Sequence, residues 1–208
     1  MTGVNNNINS IKCCIVGSCG VGKTSIIKKK LDKNNKNTET TLGAIFWTLE
    51  HHPEDGPGFK IDFWDTAGQE RYNALIPMYS RNSHIMIITF DISDKQSFTD
   101  LEKWLETISN YCEKSLFLLV GNKNDMELYR QVFQEDVDSF IHKYKNYKMK
   151  YFETSAKTGY NIEELFQHIY SLGSGIISRD KIKNRMKKLS DLKALSTGKE
   201  NQTCCNII

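Results

Sequence analysis

Cys13-Cys14-Ile15-Val16-Gly17-Ser18-Cys19-Gly20-Val21-Gly22-Lys23-Thr24-Ser25-Ile26-Ile27 is the stretch on which the fold turns. Four apolar residues lead into a glycine-rich turn, then a lysine and a hydroxyl residue, then apolar residues with helix-like spacing. G-x-x-x-x-G-K-[ST] in this strand-loop-helix setting is a phosphate-binding loop. Its glycines let the backbone close around a polyphosphate with several N–H groups inward, and the helix N-terminus adds positive potential. Lys23 supplies a mobile charge and Thr24 a hydroxyl ligand for Mg²⁺. A glycine-rich turn that matches by accident is the competing reading, and the motifs downstream argue against it.

Composition sets the scale. With 208 residues, 39% hydrophobic and 25% charged, the chain can bury one sizeable core and leave a tail, whereas two full domains would be cramped. No apolar run approaches a bilayer-spanning length, Met1-Thr2-Gly3-Val4 lacks a signal-peptide pattern, and Thr2 stands where myristoylation needs glycine, so a cytosolic chain is expected. The six cysteines form no disulfide framework: Cys13 and Cys14 lie in the first strand, Cys19 in the glycine loop, Cys112 at a helix end, and Cys204-Cys205 near the C-terminus. They are expected as thiols or lipid attachment points. Eight basic and three acidic residues from Ile176 onward give that segment a net +5, and the total of +3 leaves −2 for the rest. Without interleaved aromatics, and with cysteines at its end, the basic segment suits an anionic membrane surface better than nucleic acid.

Strand-like and helix-like segments alternate along the chain. Lys12–Val16 and a helix to about Leu31 are followed by Asp32–Thr41, too polar to pack and predicted as a mobile loop. Ala44–Glu50 and Phe59–Trp64 read as strands joined by an exposed turn through His51-His52-Pro53, whose histidines lack further ligands nearby and read as surface residues. Ile85–Phe90 and Leu116–Val120 are apolar runs expected of parallel strands covered on both faces. Phe98, Leu101, Leu105, Ile108 and Cys112 recur at helical spacing, as do Ile162, Leu165, Phe166, Ile169 and Leu172 behind a possible capping pair, Asn161 and Glu164. This alternation predicts a doubly wound α/β sheet that binds ligands at the carboxyl ends of its strands.

The polar motifs stand at those ends. In Asp65-Thr66-Ala67-Gly68-Gln69-Glu70, an acid at a strand end can hold Mg²⁺ through water, the Gly68 N–H can meet a terminal phosphate, and Gln69 can then orient a water for in-line attack. Gly121-Asn122-Lys123-Asn124-Asp125 and Glu153-Thr154-Ser155-Ala156-Lys157 follow two further strands. A carboxylate at Asp125 accepts from both N1–H and the 2-amino group of guanine, a donor pair that adenine does not offer.

With all four motifs in order over residues 11–177, the chain resembles the Rab family of Ras-superfamily small GTPases. The resemblance implies an α/β P-loop NTPase (small G-protein) fold, a mostly parallel six-stranded sheet flanked by helices, preceded by a disordered Asn-rich segment at 1–10 and followed by a flexible basic tail at 178–208. It implies a GTP/GDP site built from Ser18, Cys19, Gly20, Val21, Gly22, Lys23, Thr24, Ser25, Thr41 and Gly68, with Asn122, Lys123, Asp125, Ser155, Ala156 and Lys157 around the guanine. Mg²⁺ falls to Thr24, Thr41 and Asp65, and catalytic water positioning to Gln69. Phe46, Trp64 and Tyr79 match the aromatic triad that such proteins present to effectors, although Trp64 is equally open to core packing. The implied partners are a guanine-nucleotide exchange factor, a GTPase-activating protein, effectors, a GDP-dissociation inhibitor and a prenylation escort protein. The implied protein is a monomer at the cytoplasmic face of intracellular membranes.

Within the family, Thr41-Leu42-Gly43-Ala44-Ile45-Phe46 and Trp64–Tyr72 look most like the early-endosomal branch. Several departures stand out. Asn34 and Asn35 occupy the positions where relatives carry an aromatic over the guanine edge, the loop is one residue shorter, and Cys19 stands where serine is usual. Ser80 and Asn82 replace a common tyrosine and glycine. Thr203-Cys204-Cys205-Asn206-Ile207-Ile208 resembles doubly prenylated tails, with a C-a-a-X reading of Cys205–Ile208 as the alternative. A slow GTP hydrolase acting as a timed switch is the expected activity. A nucleotide-locked scaffold and a metabolic P-loop kinase are the competing classes, and the guanine motifs disfavour the kinase.

Overall fold

Runs of β-branched and aromatic residues pair into one twisted sheet in the computed structural model, which describes residues 9–31, 38–41, 44–54, 58–66, 74–112 and 114–197. Its strands are β1 (Asn9–Val16), β2 (Thr38–Thr41), β3 (Ala44–His51), β4 (Phe59–Thr66), β5 (Ile85–Asp91), β6 (Leu116–Asn122) and β7 (Lys150–Glu153), in the spatial order β2-β3-β4-β1-β5-β6-β7. The pairs β4/β1, β1/β5, β5/β6 and β6/β7 are parallel, and β2/β3 and β3/β4 antiparallel. The mostly parallel α/β architecture expected from the alternation is therefore present. All seven residues of β5 are buried, as a central parallel strand covered on both faces requires. β4 alternates buried and half-buried positions, as a strand nearer the edge does.

The sheet also contains a strand that the sequence does not announce. Thr38–Thr41, within the segment predicted as a mobile loop, pairs antiparallel with β3 from Thr38↔Trp47 to Thr41↔Ala44. An edge strand needs only backbone pairing and tolerates polar residues, and threonine is a good strand former. Asp32–Asn37 lie outside the described residues.

The helices are α1 (Lys23–Leu31), α2 (Ile76–Ser80), α3 (Lys95–Thr99), α4 (Leu101–Ser109), α5 (Gln134–Lys143) and α6 (Ile162–Thr197). Asp94 caps α3 by accepting from Gln96 N, and Asp100 keeps a helical backbone between α3 and α4. The predicted stripe survives this junction: Leu101, Leu105, Ile108 and Cys112 are buried, and Phe98 sits edge-on to Phe90 at 5.0 Å. On α6, Ile162, Leu165, Phe166 and Ile169 are buried, with Phe166 against Phe63 of β4 at 5.6 Å. Asn161, expected to cap α6 together with Glu164, instead adopts a left-handed backbone and donates its amide to Glu153 O at 2.9 Å. His51 is half-buried, unlike the surface residue expected, and stacks on Tyr170 at 4.2 Å with the rings 6° apart.

The chain divides into two units, Met1–Tyr170 and Ser171–Ile208. In the second, the described residues are helical to Thr197, past residue 178 where the sequence predicts the tail, and Ile182 and Met186 are exposed. No described helix is long and apolar enough to cross a membrane. Cys204 and Cys205 lie outside the described residues.

What positions a ligand is the place of β1. The chain leaves β1 toward β4 on one side and later crosses to β5 on the other, so a crevice opens beyond the carboxyl end of β1. The glycine-rich loop begins there.

Candidate nucleotide site

The loop's glycines meet two different demands. Gly17, Gly20 and Gly22 have φ of +145°, +79° and +100°, a range that side chains disfavour. A Cβ on Gly17 would also clash with the Thr89 carbonyl of β5, and one on Gly22 with the Asn122 amide of β6. Ile26 N donates to Gly22 O at 2.9 Å and opens α1. Val21 and Lys23 are buried, Ser18 and Thr24 half-buried, and Cys19, Gly20 and Ser25 exposed. Lys23 folds across its own loop, donating to Gly17 O and Ser18 O at 2.8 Å each. Burial pushes its ammonium down to about 8, with Asp65 opposing.

Asp65 stands near the end of β4, opposite Ile15 of β1 and Ile45 of β3. Its residue is 2% exposed, and neither carboxylate oxygen has a hydrogen-bond partner among the described residues. Burial raises its pKa, while Thr24, Lys23 and Trp47 favour the charged form. Next to it, Thr66 Oγ1 donates to Ile15 O at 2.8 Å and pins the end of β4 to β1. Orphaned carboxylate oxygens near a threonine hydroxyl are a hard oxygen donor set and fit Mg²⁺. Thr41 ends β2 opposite Ala44. The side chain of Thr41, and the whole of Gly68 and Gln69, lie outside the described residues.

The other strand ends form a closed network. Asn122, 1% exposed, donates Nδ2 to Val21 O at 2.8 Å, while its Oδ1 accepts from Ala156 N at 3.1 Å and from Thr154 Oγ1 at 3.3 Å. One amide thus ties the phosphate loop to the segment after β7. Ser155 Oγ donates to Asp125 Oδ1 at 2.6 Å, and Lys157 Nζ lies 3.5 Å from Asp125 Oδ2. Ser155 foremost, with Lys157 further down the order, holds the Asp125 carboxyl below its ordinary range. Lys123 takes a left-handed backbone with φ +68° and pairs its Nζ with Asp91 of β5 at 2.6 Å. That strained conformation at a strand end is what turns Asn124 and Asp125 into the loop.

The aromatic triad is contiguous. Phe46 and Trp64 are register partners on β3 and β4 with rings 5.2 Å apart, and Trp64 stacks on Tyr79 of α2 at 5.4 Å. Tyr79 is buried while Phe46 and Trp64 are half-buried, so Trp64 both packs and shows an edge.

Three supports escape a reading by motif. Asp100 accepts from Ser18 Oγ at 3.2 Å, and Trp104 Nε1 donates to the same hydroxyl at 3.4 Å, which fastens the phosphate loop to α4. Asp91 anchors Lys123. Glu153 accepts from Arg130 and from Tyr151 OH, and Asn124 donates to it at the rear of the Asp125 loop. These partners lie between 23 and 86 residues apart or belong to no short motif, so no local pattern signals them.

A phosphate loop at the switch point of a parallel sheet, beside an acceptor set suited to guanine, defines a P-loop nucleotide-binding protein. The family model described as "Ras family" matches residues 12–172, and the chain belongs to that family of small GTPases, which in general bind GTP and GDP with Mg²⁺ and hydrolyse GTP. It is 33% identical over 201 residues to the Ras-related protein Rab-13 of Bos taurus, covering 94% of this chain and 95% of the relative.

Proposed function

We propose that the protein is a Rab-like switch in vesicular membrane trafficking, at endosomal membranes, that is active with GTP and is turned off by its own slow hydrolysis. The observation that carries this reading is the Asn122 amide, which joins the phosphate loop to the Ala156 segment, so one site can grip both ends of a guanine nucleotide. Gly20, Gly22 and Lys23 receive the phosphates. Asp125 accepts from the guanine N1–H and 2-amino group, with Ser155 and Lys157 fixing its orientation. Thr24, Thr41 and Asp65 hold Mg²⁺, which when bound offsets phosphate charge. Gln69 orients the attacking water, and the segments around Thr41 and Gln69 are ordered by GTP and released after hydrolysis.

Phe46 and Trp64 form the effector surface, backed by the buried Tyr79 on which Trp64 stacks. Exchange factors, activating proteins, a GDP-dissociation inhibitor and a prenylation escort complete the cycle, and lipids on Cys204 and Cys205, with the basic tail, hold the switch on the cytoplasmic face. Asn34 and Asn35, also outside the described residues, supply no aromatic ring for the guanine edge, and GDP release is fast for the family.

Single-turnover hydrolysis of GTP by the full chain is the test. The wild type should convert GTP to GDP in a Mg²⁺-dependent reaction, and Gln69→Leu should bind GTP normally but turn it over at least tenfold more slowly. Equal turnover in the two proteins removes the timer. Tight binding without any turnover in the wild type leaves the nucleotide-locked scaffold.

A further inference from the structure

Trp47 is not among the residues that the motifs assign to the site, yet it lies against it. The β3/β4 register pairs Trp47 with Phe63 and Ile45 with Asp65. Side chains alternate along a strand, so Ile45 and Trp47 share one face with Phe63 and Asp65, and Trp47 stands one diagonal step from Asp65. The residue is 9% exposed. Its Nε1 is buried without a hydrogen-bond partner among the described residues, as are both oxygens of Asp65.

A buried indole N–H ordinarily finds an acceptor, and Trp104 does so at Ser18. An unused donor therefore stands one diagonal step from two unused acceptors.

We infer that Trp47 is a positioning residue for the Mg²⁺ site: its indole N–H holds one face of the Asp65 carboxylate from behind and leaves the remaining lone pairs for the cation. This rests on the nucleotide-binding reading above. A donor behind a ligating carboxylate fixes its rotation, and partners of this kind shift metal affinity by about 10- to 100-fold. The expected signature is a change in Mg²⁺ dependence alone. Among the described residues the indole N–H donates to no group of the phosphate loop or of the Asp125 loop, so nucleotide affinity without metal stays as it is.

Release of a fluorescent GDP analogue, followed while free Mg²⁺ is titrated, tests this in the full chain. Trp47→Phe keeps an aromatic ring and removes the N–H. It should raise the Mg²⁺ concentration for half-maximal retention about tenfold and leave release in EDTA unchanged. An unchanged midpoint overturns the inference, and so does a release rate altered equally with and without Mg²⁺, which marks a packing role. In the wild type, the Trp47 indole resonance is the one present in both Trp64→Phe and Trp104→Phe spectra. It should shift when Mg²⁺ is added to the GDP-loaded protein, and a resonance that stays in place overturns the inference even if Trp47→Phe fails to fold. A wild type that retains GDP with Mg²⁺-independent kinetics fails the functional reading itself.

Discussion

The two ends of the nucleotide crevice treat buried polar groups in opposite ways. At the base end every polar group named above has a protein partner: Asn122 has three, Asp125 is held by Ser155, and Lys123 by Asp91. At the phosphate end Asp65 is buried with neither oxygen satisfied among the described residues, and Lys23 sits in a place that disfavours its charge. Among the described residues the base end is finished by the fold, whereas the phosphate end keeps a buried carboxylate with no formed hydrogen bond. Buried groups left unsatisfied cost stability, and they are kept where a ligand is to meet them.

Asn122→Ala should give the largest effect, because it strips the carbonyl of Val21, the N–H of Ala156 and the hydroxyl of Thr154 of their partner at once. At about 1 kcal/mol for each bond, roughly 3 kcal/mol of stability is lost. A melting midpoint lower by roughly 6–12 °C in the nucleotide-free protein is the expected reading, and a shift within error would break the contrast at the base end.

Asp65→Asn should move the other way. Neutralising a buried carboxylate that has no formed hydrogen bond among the described residues should stabilise the nucleotide- and metal-free protein by about 1 kcal/mol while it abolishes the Mg²⁺ dependence of GDP retention. Urea unfolding in EDTA measures the first effect. A destabilised Asp65→Asn would mean that the carboxylate is already satisfied.

The smallest expected effect sharpens the comparison through pH. Burial works against the Glu153 carboxylate, yet Arg130 and Asn124 hold its pKa below the ordinary value. A depressed carboxylate contributes stability that is full above the ordinary carboxylate pKa and is lost as pH falls through the folded value. Melting midpoints of Glu153→Gln and wild type should therefore converge as the pH is lowered from 7 toward 3. A constant gap would assign Glu153 a role independent of its charge.

Much of this was legible because the chemistry is local. The strand-loop-helix around Lys23 and the acids and amides at strand ends are each read from a single short run of consecutive residues. The supports are not, since Ser18 and Trp104 are 86 residues apart and only the parallel crossover brings them together. β2 shows a different limit: Thr38–Thr41 has no apolar pattern, and its place comes from backbone pairing with β3. Trp47 read only as a strand residue, because the diagonal that sets it beside Asp65 depends on register, which a one-residue slip would reverse.

Lys23 has a consequence for association kinetics. Its two bonds to the Gly17 and Ser18 carbonyls hold the loop curved through the chain's own donor and acceptors, so part of the ordering cost of a phosphate cradle is met during folding. Capture then becomes an exchange of acceptors at one ammonium, carbonyl oxygens for phosphate oxygens, instead of a disorder-to-order step. For the nucleotide switch proposed above, the loop then adds little to the barrier for encounter, and differences in affinity appear in the lifetime of the complex.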